Sequence, residues 1–101
     1  MLEQLEAIRE RFLEVEQQIA MPEVVSDLKR FKTLSKEYKD LQKIVEQYLS
    51  FQKVLSDIEQ AKDVIANEKD EEFRDMAKME LEELLPQKEG MEETLKEMLI
   101  P

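Results

Sequence analysis

Neither cysteine nor histidine occurs in the 101 residues, tryptophan is also absent, and glycine appears once. Each absence removes a class of chemistry. Without thiol or imidazole there is no zinc site of the usual kind, no thiol nucleophile, no imidazole base and no disulfide framework. The lack of cysteine fits a reducing compartment, and a cytoplasmic location is expected. One glycine does not make a phosphate-cradling loop, whose turn needs several positions without a Cβ. No apolar run approaches the roughly 20 residues of a membrane span, and the N-terminus is acidic rather than signal-like.

What the chain does have is charge and aliphatic side chains. It carries 25 acids against 15 bases, a net charge of −10, and 42% of its residues are hydrophobic. That apolar fraction is too high for a disordered acidic tail, and its spacing is helical. Leu2, Leu5, Ile8, Phe12, Val15 and Ile19 recur at three and four, one face of a first helix. Met21-Pro22 interrupts it, because proline disfavours helical backbone in the residue before it. Ser26 or Asp27 supplies the cap of the next helix.

From Leu28 the stripe continues through Phe31, Leu34, Tyr38, Leu41, Val45, Tyr48, Phe51, Leu55, Ile58 and Ile65. It predicts one long helix from about Asp27 to Ala66, with Ser50 the one place for a break. Asn67–Asp70 is the next turn, where Asn67 is able to take the left-handed conformation that ends helices. A last helix starts near Glu71 and offers Phe73, Met76, Ala77, Leu81, Leu84, Leu85, Met91, Leu95, Met98 and Leu99 to a core. Pro86 inside it predicts a bend near Glu82 or a complete break. Short connections make sequence neighbours antiparallel. The expected fold is all-α: an elongated antiparallel helical bundle of three long helices, the last bent or broken near Pro86, in a single domain over 1–101.

Carboxylates are abundant, but no pattern among them points to catalysis or metal binding. Asp70, Glu71 and Glu72 sit where unpaired amides and the helix dipole favour an anion. A calcium loop would need alternating oxygen ligands and a turn glycine, and a di-metal bundle would need Glu-x-x-His pairs. No catalytic, cofactor-binding or metal-binding residue is assigned, no cofactor is expected, and the chain reads as no enzyme. Tyr38 and Tyr48 are expected in the core with their hydroxyls at its edge, and Met76, Met91 and Met98 as core packing. Ser35 is an ordinary helix residue.

One segment departs from the acidic average. Between Leu28 and Lys43 stand Lys29, Arg30, Lys32, Lys36, Lys39 and Lys43 against Glu37 and Asp40, so it carries +4 and the remaining 85 residues −14. Lys29, Lys32, Lys36, Lys39 and Lys43 line one side of a helix. The simpler expectation is internal pairing with Glu3, Glu6, Glu10 and Glu14, whose spacing on the first helix matches. The functional alternative is a contact strip for RNA phosphate or an acidic partner. The negative remainder disfavours DNA and anionic membrane, leaving protein partners as the default.

Arg30-Phe31-Lys32-Thr33-Leu34-Ser35-Lys36-Glu37-Tyr38 with Leu41 resembles the Arg-Phe-x-x-Leu-Ser-Lys/Arg-Glu-Tyr-x-x-Leu segment of bacterial class-one peptide chain release factors. Glu72-Phe73-Arg74-Asp75-Met76-Ala77, then Glu80-Leu81, is similar to that family's Glu-Met/Phe-Arg-x-Met-Ala-x-x-Glu-Leu stretch. Leu99-Ile100-Pro101 is similar to the point where the family passes into its central domains. The likeness covers nearly the whole chain and is closer to the release factor 1 branch than to release factor 2. Pro86 and Gly90 depart from the uninterrupted last helix of many members.

The resemblance implies the N-terminal helical domain of a translation termination factor. Its Pro-x-Thr-type codon-reading loop and Gly-Gly-Gln hydrolysis loop are absent from these residues, and the reading frame is expected to continue beyond Pro101 towards them. The family places this domain at the stalk base of the large ribosomal subunit, mainly on protein, and implicates it in coupling to the class-two release factor GTPase. The alternative reading is a free-standing coiled-coil adaptor or chaperone-like protein whose long stripe pairs between chains. An autonomous enzyme ranks below both.

Overall fold

A computed structural model describes all 101 residues. Four helices follow one another: α1 (Leu2–Ile19), α2 (Pro22–Val25), α3 (Leu28–Asn67) and α4 (Glu71–Met98). The fold is all-α with three long helices, as the spacing predicts, and a fourth short one that the spacing does not reveal. The chain divides into two compact units, Met1–Tyr48 and Leu49–Pro101, and α3 contributes to both.

In the first unit, α1 and the first half of α3 run antiparallel. Glu6 meets Tyr48, Arg11 meets Glu37 and Phe12 stacks on Tyr38, so rising numbers on one helix face falling numbers on the other. Val15, Val24 and Leu34 form the buried centre, with Ile19, Phe31, Tyr38 and Leu41 packed around it. Met21 is extended, as a residue before proline should be, and Pro22 opens α2 at its first position, where a missing N–H costs nothing. This single helical turn carries Val24 into the core, where it is fully buried. Asp27, not Ser26, caps α3: its carboxylate accepts the Arg30 N–H at 3.2 Å, while the Ser26 hydroxyl turns back to the Glu23 carbonyl.

α3 does not break at Ser50. It is one helix of 40 residues, with Tyr48 buried before that exposed serine and Phe51, Val54 and Ile58 buried after it, which offsets a residue of modest propensity. Val54 and Ala61 join the buried face alongside the predicted Phe51 and Ile58, whereas Leu28 is exposed.

In the second unit, the C-terminal half of α3 and α4 form a hairpin. Val54, Ile58 and Leu84 are its buried cluster, with Leu81 and Met91 against them. The turn differs from the expectation at Asn67. No residue has positive φ, so Asn67 remains helical and its side chain donates to Asp63. Side chains close the turn instead. Glu68 accepts the N–H groups of Lys69 and Asp70, and Arg74 donates to the Glu68 and Lys69 carbonyls at 2.9 and 2.8 Å. The guanidinium thereby satisfies two carbonyls of the turn itself, just beyond the last residue of α3. Asp70 caps α4 by accepting the Glu72 N–H at 2.9 Å.

Of the two outcomes expected at Pro86, a bend or a complete break, the complete break does not occur, since α4 is one helix of 28 residues with Pro86 inside it. An interior proline costs about 3 kcal/mol through a lost hydrogen bond and crowding. Leu84 before it and Met91 after it pack on the same cluster, which holds both flanks in one helix.

Candidate functional site

No polar or charged residue is buried, and no group of three acidic side chains is placed to hold a metal ion. Glu6 and Glu37 are carboxylates of displaced acidity, and each owes it to partners within the chain. The Tyr48 hydroxyl, 2.8 Å from Glu6, and then Arg9 hold the Glu6 carboxyl below its ordinary range. Arg11 does the same to Glu37 through two hydrogen bonds of 2.6 and 2.9 Å, and is itself held more strongly protonated in return.

The basic segment is arranged differently from the simpler sequence expectation. Lys29, Arg30, Lys32, Lys36, Lys39 and Lys43 are all exposed, and none takes part in an ion pair. Glu6 is engaged with Arg9 and Tyr48, and Glu14 with Arg11, while Glu3 and Glu10 pair with no base. The ion pair between α1 and α3 has the reverse polarity, Arg11 on α1 and Glu37 on α3. The reason is rotational phase. At about 100° per residue, the five lysines fall on the side of α3 opposite Leu34, Tyr38 and Leu41, which pack in the cluster shared with α1. Arg30 lies off that line, towards the flank. Comparing the phase of the basic residues with that of the apolar stripe in the sequence would have excluded the pairing.

The two segments that carried the resemblance also become intelligible. In the first, Phe31, Leu34 and Tyr38 pack on α1 and Glu37 is tied to Arg11, whereas Lys32 and Lys36 project to solvent. In the second, Arg74 locks the α3–α4 turn and Ala77 is buried. Ser35 is half-buried in α3. Sequence reasoning missed the role of Arg74, since a basic residue one turn into an acidic helix start reads as surface charge. It also placed Met76 in the core, whereas Phe73, Met76 and Met79 are 54, 59 and 69% exposed.

No helix is long and apolar enough to cross a membrane. Comparison with known proteins supplies what geometry alone does not. The family model for the PCRF domain matches residues 8–101. Three similar proteins, each a "Peptide chain release factor 1", come from Cytophaga hutchinsonii at 50% identity, Amoebophilus asiaticus at 43% and Brevibacillus brevis at 42%. Each alignment covers the whole of this chain but 28% of the relative, so the chain spans between a quarter and a third of their length. No solved structure matches it. Taken with the two motif segments and the helices they build, these matches show that the chain belongs to the PCRF domain family of peptide chain release factors.

Proposed function

We propose that this chain is the ribosome-facing N-terminal domain of a translation termination factor and that it works by contact, not by catalysis. The observation that carries the reading is the family match over residues 8–101. The protein to which it belongs recognises stop codons and promotes peptidyl-tRNA hydrolysis through parts outside these residues. The domain docks at the stalk base of the large subunit, mainly on protein, and couples to the class-two release factor GTPase. It has no membrane or DNA partner and acts in the cytoplasm.

The lysine strip of α3 is the surface assigned to that contact. It is exposed, it stabilises nothing within the chain through ion pairs, and it stands out as +4 against a remainder of −14. Lysine ammonium groups in a line suit phosphate oxygens or the carboxylates of an acidic protein. The coiled-coil alternative is weaker because the apolar stripe of α3 is covered within each unit, by α1 and α2 in the first and by α4 in the second.

The test replaces Lys29, Lys36 and Lys43 together with Glu. Because all three are exposed and unpaired, helicity by circular dichroism should change little. Co-sedimentation with ribosomes should weaken by an order of magnitude or more, as expected when several phosphate or carboxylate contacts are reversed. Unchanged association would remove the strip from the contact surface.

A further inference from the structure

The sequence reading gave the start of α4 to the core, yet the structure leaves part of it uncovered. Phe73, Met76 and Met79 lie within two turns of one another on α4 and are each more than half exposed. Together with Val64 on α3 they line an open groove of about 650 Å³ beside the α3–α4 turn. Its other walls are Glu68, Glu80 and Glu83, and no basic side chain lines it. Glu83 makes no ion pair. Glu80 makes none either, though it is near enough to Lys53 to help keep that lysine charged after the main effect of Asp57. Glu68 is half-buried and already accepts the turn amides, so Glu80 and Glu83 are the carboxylates left without a hydrogen bond or ion pair in the chain and able to accept from a ligand.

An aromatic ring and two thioethers in a row form an adaptable apolar floor, since methionine repacks against varied shapes. Such clustered exposure on a small protein marks an interaction surface. From Phe73 to Glu83 the groove follows eleven residues of α4, about 15 Å from first to last, which matches two to three turns of a docked helix. The acidic rim selects the charge of the occupant. It repels nucleic acid and acidic protein, and favours apolar anchors flanked by Lys or Arg.

We infer that the Phe73–Met76–Met79 groove is a docking site for a basic amphipathic helical segment of a partner protein. Its apolar side chains, at spacings of three and four, seat on the ring and thioethers, and its flanking cations face Glu80 and Glu83. The site is separate from the lysine strip and has the opposite charge. The inference does not rest on the ribosome reading.

The probe is a synthetic 14-residue amphipathic peptide with Leu at helical spacing and Lys on both flanks. A second peptide has every Lys replaced by Glu. Binding to the 101-residue chain is followed by the methionine methyl resonances and by anisotropy of the labelled peptide. The expected result is saturable shifts of the Met76 and Met79 methyls, with those of Met1 and Met21 in the first unit unmoved. The Glu peptide should bind at least tenfold more weakly, and E80Q/E83Q should reduce affinity for the Lys peptide and its salt dependence together. Met76→Gln with Met79→Gln should weaken it at least tenfold. The mapping on the unaltered chain needs no variant to fold. Equal binding of the two peptides, shifts elsewhere only, or no shifts would overturn the proposal. So would methyl shifts that follow protein concentration without peptide, because the occupant would then be a second copy of the chain.

Discussion

Arg11 and Glu37 show how a single pair can set the register between two helices. Their paired hydrogen bonds lie at the level where Phe12 stacks on Tyr38 with ring centroids 4.9 Å apart. A polar clamp and an aromatic contact therefore specify the same alignment, and a one-turn slip would lose both. The clamp also carries a pH signature. Arg11 keeps Glu37 charged in the folded chain at acidities where the unfolded carboxyl, near its ordinary 4.5, takes up a proton. Its stabilisation is thus full above the unfolded value and disappears as pH falls through the lower native one. Urea unfolding of the chain and of Glu37→Gln should show a stability gap that is constant from pH 7 to about 5, shrinks below the ordinary carboxylate value and closes at lower pH. A gap unchanged at the acid end would show that Glu37 acts through packing instead. Taking the difference between the two proteins cancels the relief of acidic self-repulsion that both gain on acidification.

Among the elements, α4 best separates what is legible in a sequence from what is not. Its start is readable: Asp70 has the side chain and position of a cap, and it caps. Its core face is readable at Ala77, Leu84 and Leu95, all buried. Phe73 shares their helical phase and is nonetheless exposed, because a periodic pattern gives direction around the axis but not whether a neighbour covers that level of the hairpin. The choice between a bent and a broken α4 at Pro86 was left open for a related reason. Local propensity predicts the cost, and only the three-dimensional packing of Leu84 and Met91 on one cluster shows what offsets it. Likewise Val24 sits in too short a turn to show a period. Gly90 is the other weak position in α4. A Cβ there meets nothing within 4 Å, and the backbone is ordinary helix. Gly90→Ala should accordingly stabilise the chain by about 0.5–1 kcal/mol, read from the urea midpoint at constant slope. Destabilisation would mean that α4 departs from regular helix at that position.

At the scale of the molecule, charge is sorted rather than spread. Lys29, Lys32, Lys36, Lys39 and Lys43 face solvent along one side of the first half of α3, and acidic side chains dominate elsewhere. This sorting suits the contact role proposed for the lysine strip. The fold class and the family were legible because helix spacing and two motif segments survive as strings. The contact surface was only half legible. The composition of residues 28–43 singled out the lysines, but their freedom from α1 became clear only once the core face of α3 was located. The most direct test of the ribosome reading uses a fluorescently labelled copy of this chain, purified bacterial ribosomes and an unlabelled intact release factor 1. The labelled chain should bind saturably, and the intact factor should displace it as it occupies the ribosome. Failure to bind, or a labelled chain that stays bound when the intact factor is saturating, would contradict the account.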